Sequence, residues 1–133
     1  MSLSQVVYTS VLANQHGLDA VTSIVRSARA KNPKLNVTGL LLFDGTHFCQ
    51  YLEGPATNVA WLLERIRSDA RHAHFTVRHQ AEGIAQRLFP NWNIAYSDNI
   101  GADISTLFEP ARSKSSSLDT LRGLVSSLSL QTA

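Results

Sequence analysis

The chain has 133 residues, 44% of them hydrophobic and 17% charged, with a formal net charge of +2. That size suits one domain with a single core and a short appendage; no apolar run approaches the roughly 20 residues a bilayer-crossing helix needs, and so small a charge argues against a nucleic-acid partner. A lone cysteine, Cys49, excludes an internal disulfide framework, and Met1-Ser2-Leu3-Ser4-Gln5 lacks the basic and apolar blocks of a signal peptide, so a cytoplasmic setting away from membranes is expected.

Taken in order, Val6-Val7-Tyr8-Thr9-Ser10 is β-branched and aromatic and reads as a strand. Asn14 to Gly17 reads as a loop, after which Leu18, Val21, Ile24, Val25 and Ala28 recur at helical spacing and predict an amphipathic helix over 18–31. Asn32-Pro33 ends it, since a residue before proline is disfavoured in the helical region. Val37 to Phe43 is almost wholly apolar, the pattern of a central strand covered on both faces. Asp44-Gly45 signals a hairpin into Thr46 to Leu52, where alternation puts Phe48, Gln50 and Leu52 on one face.

Gly54-Pro55 opens a second helix with a buried stripe of Val59, Leu62, Leu63 and Ile66, closed by Asp69 to His72. Phe75-Thr76-Val77 reads as a fourth strand and Trp92 to Tyr96 as a fifth, after a loop through Phe89-Pro90-Asn91. The order βαββαβ plus a strand predicts a ferredoxin-like α+β fold, two helices on one face of an antiparallel sheet. Residues 1–98 would form that domain, and residues 99–133 a linker and C-terminal helical extension. Within the extension, Ala111 to Ser117 is a serine-rich linker and Ser117 to Leu130 a leucine-striped helix. That helix is expected on the sheet's other face, where Val7, Leu41 and Tyr51 would otherwise lie bare.

Gln50 stands where the pattern calls for a hydrocarbon, and a buried amide left unsatisfied costs about 1–3 kcal/mol per group. If Val6, Tyr8 and Ser10 share its face, Tyr8 lies on the neighbouring strand, and Asn32 sits at the sheet edge where the first helix ends. A phenol, an asparagine and a glutamine make a poor hydrolytic site, because none is a good base near neutral pH. They suit a planar neutral heterocycle with alternating N–H and C=O groups. Taken singly, each has a plainer reading: a core amide, a core aromatic, a helix-ending turn residue. Cys49 faces the opposite side and reads as a structural thiol, Glu53 as a favourable charge at the start of the second helix, and Trp61 as a partly exposed contact residue. His72, His74 and His79 lack the companions of a metal site, and no metal is expected.

Tyr8-x-Ser10, Asn32, Val37-Thr38-Gly39-x-Leu41, Phe48-x-Gln50-x-Leu52-Glu53-Gly54, Asp69-x-Arg71-His72 and Phe89-x-x-Trp92 together resemble the BLUF domain, a blue-light sensor that uses flavin. The resemblance runs from about residue 5 to about residue 98. It implies a flavin between the two helices, usually FAD, although FMN and riboflavin carry the same ring. Tyr8 would give an electron and then a proton to the excited flavin, and Gln50 would be the bridging amide that rearranges. Asn32 would grip the pyrimidine edge, while Ser10, Lys31, Arg71 and His72 match positions near the ring or its tail. Trp92 and Ile94 would pass the change outward; the family usually has Trp-x-Met there, against Trp92-Asn93-Ile94 here.

The resemblance further implies a photoreceptor rather than an enzyme, signalling through a second copy in a homo-oligomer or through an unidentified downstream protein. Two rivals share the topology. An acylphosphatase-type hydrolase would need a phosphate cradle, and the chain has no Gly-rich loop. A single-stranded RNA binder would need exposed aromatics on its central strands, where Phe48 and Tyr51 are the candidates.

Overall fold

The computed structural model describes residues 2–13, 17–98, 100, 103–108 and 117–126. The elements are β1 (Leu3–Leu12), α1 (Asp19–Lys31), a 3-10 turn (Pro33–Leu35), β2 (Thr38–Phe43), β3 (His47–Pro55), α2 (Ala56–Arg67), β4 (His72–Ile84), β5 (Ala95–Ser97), α3 (Ile104–Leu107) and α4 (Ser117–Val125). They form a five-stranded sheet in the order β4-β1-β3-β2-β5. The α+β class and the βαββαβ core are as expected. The sheet is mixed rather than antiparallel, because β5 runs parallel to β2.

Several boundaries differ for identifiable reasons. β4 is far longer than Phe75–Val77 because its outward positions carry His74, Thr76 and other solvent-facing polar residues, which hide the strand from an apolar pattern. His72 therefore begins a strand instead of closing the second helix. Leu18 caps α1 and is 68% exposed, so the buried stripe is Val21, Ile24 and Val25. Asn32 keeps helical angles despite the following proline. Its backbone is held at both ends: its N–H donates to Ala28 at 2.8 Å, and its C=O accepts from Leu35 at 3.1 Å and Val37 at 2.9 Å. Trp92 and Ile94 precede β5, which begins only at Ala95.

The two faces of the sheet have separate cores. Beneath α1 and α2 lie Val6, Tyr8, Leu41, Phe48 and Leu52. Leu41 pairs with Gln50 in the β2–β3 register and so points toward the helices; Leu40 and Leu42 take the far face instead. There they join Val7, Cys49 and Tyr51 under Ile100, Ile104, Phe108 and Leu121. Leu121 is wholly buried, so α4 packs on its own sheet as expected. Asp44 ties the β2–β3 hairpin to this cover, accepting from Ile104 N–H at 2.9 Å and from its own turn at Thr46 and His47. The linker over 111–116 and the end of the helix over 127–133 lie outside the described residues. Among the described residues no helix is long and apolar enough to cross a membrane.

Glu53 does not serve the start of α2. Its carboxylate is fully buried on the far face and takes hydrogen bonds from the loop before β5. Gly39 marks the closest approach of β2 to β3: a Cβ there would sit 1.9 Å from the carbonyl oxygen of Tyr51. Gly39→Ala is expected to cost about 3 kcal/mol or more, the upper end of overpacking penalties, read as a lower urea midpoint. An unchanged midpoint would mean the two strands have slack.

Candidate functional site

A cavity of about 390 Å³ opens between α1 and α2 above the sheet. Its floor is Gln50 and its walls include Ile24, Asn32, Leu62, Ile66 and His72, with Lys31, Arg65 and Arg71 bringing positive charge. The volume falls in the range typical of cofactor pockets.

Tyr8 and Gln50 stand directly opposite each other in the β1–β3 register. The Tyr8 hydroxyl donates to Gln50 Oε1, with Tyr8 0% and Gln50 3% exposed. Burial holds the phenol's pKa well above its ordinary value, with Cys49 and Asp69 adding to the effect, so Tyr8 is a neutral proton donor at any physiological pH. Phe75 stacks on its ring at 4.5 Å, and the Arg67 guanidinium lies 4.8 Å over Phe75. Among the described residues nothing engages Gln50 Nε2, so the donor end of the amide is free for a ligand.

Asn32 is 1% exposed, and its Nδ2 donates to the Asn93 carbonyl at 2.8 Å. No described residue bonds its Oδ1, so the site presents an amide donor at Gln50 and an amide acceptor at Asn32. That pairing fits a flat heterocycle edged with both C=O and N–H groups.

His72 borders the cavity and shares a hydrogen bond of 2.7 Å between its Nδ1 and Ser10 Oγ. Ser10 itself does not line the cavity; it stands behind His72. Burial pushes the His72 pKa down to about 4, partly offset by Asp69, so the imidazole is neutral at pH 7. Arg71 grips Asp69 through Nε at 3.0 Å and Nη2 at 2.5 Å and reaches Ser23 Oγ at 3.2 Å. That contact holds the Asp69 carboxyl below its usual range and aims Arg71 along the wall. Trp92 and Ile94 do not line the cavity and lie on opposite sides of the sheet. Ile94 is fully buried beside Ile24, Leu41 and Phe48, whereas Trp92 stacks on Phe89 at 4.9 Å against the far core.

Sequence reasoning missed Ser27, Leu62 and Arg65 in the walls, Phe75 beside Tyr8, and the Asn93 carbonyl. A signal existed for the walls: Ile24, Ser27, Ala28 and Lys31 share one helical face, as do Leu62, Arg65 and Ile66. Other residues have plain structural roles. Cys49 is wholly buried on the far face with its thiol pKa pushed up to about 12, so it is no nucleophile. His79 bonds Gln5 at 2.8 Å, apart from the His72–Ser10 pair. Phe48 and Tyr51 are 0% exposed, which leaves RNA bases no platform on the central strands.

Because the folded-state pKa of His72 lies below its free value of 6.5, protonation favours the unfolded chain. The contribution of its neutral form is complete above pH 6.5 and declines as pH falls toward 4. The melting temperature is expected to drop across that window, and less steeply in His72→Asn; identical slopes would refute the assignment.

Known proteins share this sequence pattern and fold. The family model described as sensors of blue-light using FAD matches residues 3–95. The blue light- and temperature-regulated antirepressor BluF of Escherichia coli is 36% identical over 70 residues, 53% of this chain and 17% of that protein. Photoactivated adenylate cyclase subunit beta of Euglena gracilis is 33% identical over 94 residues, 70% of this chain and 11% of the relative. The chain thus spans less than a fifth of either curated relative. Among solved structures, the dark state of the BLUF protein BlrB superposes with a TM-score of 0.78 at 26% identity, covering 96% of this chain and 98% of that one. None of these findings supports the hydrolase alternative. With its paired helices, its buried phenol–amide couple and a match over most of its length, the chain belongs to the BLUF family of blue-light sensors that use FAD.

Proposed function

We propose that this BLUF domain registers blue light through Tyr8 and Gln50, and that Asn32, Lys31, Arg71 and His72 hold the flavin, with Ser10 steadying His72. The observation that carries the reading is the buried hydrogen bond from Tyr8 to Gln50 Oε1 at the floor of the cavity. The bound flavin supplies visible absorption and, on excitation, an electron acceptor.

The protein's part follows from its own groups. Oxidised tyrosine is a strong acid, so the Tyr8 proton leaves along the bond it already makes, to Gln50 Oε1. Return of the electron draws a proton back, and the amide then settles either as it began or turned, with Nε2 toward the phenol. A carboxamide has a donor at one end and an acceptor at the other, so the turned form shows the ligand the opposite pattern. No base is consumed and no bond to a substrate changes. Low water access protects the proton path, since both side chains are buried.

The signal leaves by contact, either with a second copy or with a downstream protein, from a cytoplasmic location. Residues 1–98 act as the sensor and residues 99–133 as a C-terminal extension, of which Ile100, Ile104, Phe108 and Leu121 cover the far face. Ile94 packs in one cluster with Phe48, on the strand of Gln50, and with Leu41, the register partner of Gln50, and through them it feels the amide turn.

Absorption spectra before and after blue light test the reading. Purified protein is expected to be yellow and to show a small reversible red shift. In Tyr8→Phe and Gln50→Leu the flavin stays bound and the shift disappears; a persistent shift in either variant would remove that residue from the pair. Ile94→Met is expected to keep the shift while changing the dark-recovery rate severalfold, on the order of 1 kcal/mol in barrier. Recovery indistinguishable from the parent would show that Ile94 does not sense the amide.

A further inference from the structure

The photochemistry makes no use of Glu53, yet this carboxylate is 0% exposed. It follows Gln50 by three residues on β3, and so leaves the opposite face of the sheet. Oε1 accepts from Leu88 N–H at 2.6 Å and from the Tyr51 hydroxyl at 2.8 Å. Oε2 accepts from Phe89 N–H at 2.7 Å and from the Thr38 hydroxyl at 3.1 Å. These four donors match the acceptor capacity of an ionised carboxylate. Arg87 fastens the same segment, donating to Thr38 Oγ1 at 2.9 Å, Glu53 O at 3.2 Å and Asn36 O at 2.7 Å.

From this anchor the chain turns back over the edge of β2. Phe89 stacks on Trp92 with their ring planes 9° apart, and the Trp92 carbonyl accepts from Gly39 N–H at 2.9 Å. The next carbonyl, Asn93, takes the Asn32 Nδ2. An amide can be turned either way round, and this contact decides which: with its nitrogen drawn to a carbonyl, Asn32 must offer Oδ1 to the cavity. Turned about, it would set two oxygens against each other. The orientation of Asn32 is therefore decided by a backbone carbonyl in the segment that runs on from Leu88 and Phe89, through the Trp92 N–H to Phe89 O contact at 3.4 Å.

We propose that Glu53 is a positioning residue for the flavin: by pinning Leu88 and Phe89 on the far face, it places the Asn93 carbonyl that orients the Asn32 amide toward the pyrimidine edge. The inference rests on the reading that Asn32 holds that edge. A simple loop anchor would have no reason to affect the pyrimidine edge, and this defines the test.

The test is a double-mutant cycle in FAD affinity on the full chain with Glu53→Gln, Asn32→Ala and both together. Glutamine offers one acceptor oxygen instead of two, so at least one loop N–H loses its partner. Glu53→Gln is expected to weaken FAD binding about tenfold in the parent, and less than about twofold where Asn32 is already alanine. Infrared bands of the flavin carbonyls should shift in Glu53→Gln in the direction seen for Asn32→Ala. Equal loss in both backgrounds, or none in the parent, overturns the proposal. Unchanged affinity in Asn32→Ala overturns it too, while the red shift of the parent decides separately whether the sensor reading stands. Should Glu53→Gln fail to fold, Arg87→Gln carries the same cycle, with a smaller loss and the same dependence on Asn32.

Discussion

A phenol and a carboxamide facing each other in the middle of a buried sheet set the terms for the rest of this structure. Antiparallel pairing of β1 and β3 puts Tyr8 and Gln50 in register, and a one-residue slip would send both side chains to the other face. The pair can be buried because the phenol hydroxyl and the amide oxygen satisfy each other, while the amide nitrogen is left to the cavity. Every neighbour then either excludes water from it or leaves room beside it. Phe48, Leu41 and Leu52 fill the flanks, and Phe75 lies flat on the phenol. The helices part above Gln50 and leave one end of its amide to a ligand.

The two faces of the sheet do different work. The helix side carries a cavity with polar groups on its floor and rim, whereas the far side is closed by hydrocarbon from Ile100, Ile104, Phe108 and Leu121. Polar exceptions on the far side form a chain: His79 to Gln5, Gln5 to Tyr51, and Tyr51 to Glu53. Burial raises the Tyr51 pKa, and the bond to Glu53 raises it further, which keeps its hydroxyl a donor. Such networks fix one geometry because each member loses a partner if any member moves. The loop before β5 is therefore tied down at Leu88 and Phe89 by the Glu53 carboxylate rather than by strand pairing.

Much of the site was legible because strands alternate and a misplaced polar residue stands out. Gln50 between Phe48 and Leu52 could only face a core; parity grouped Val6, Tyr8 and Ser10, and the pairing of β1 with β3 then put them on the face of Gln50. The helix faces carrying Ile24 to Lys31 and Leu62 to Ile66 were equally periodic, yet their role in the cavity walls shows only once two helices are seen to part. Glu53 was misread because its neighbours, Gly54 and Pro55, suggest a helix start. Its partners in the loop are 35 and 36 residues away, and nothing local announces them. Leu41 was misplaced because an all-apolar strand carries no parity of its own; pairing with β3 decided it.

Alternation, helical spacing and turn residues, which act over a few positions, by themselves determined the α+β order, the inward aim of Gln50 and the helix that ends at Asn32. The tertiary structure alone decided the parallel docking of β5, the full length of β4, the amide orientation of Asn32 and the burial of Glu53. Each of those depends on hydrogen bonds between segments far apart in the chain. Such bonds are specified by three-dimensional proximity and leave no period in the sequence.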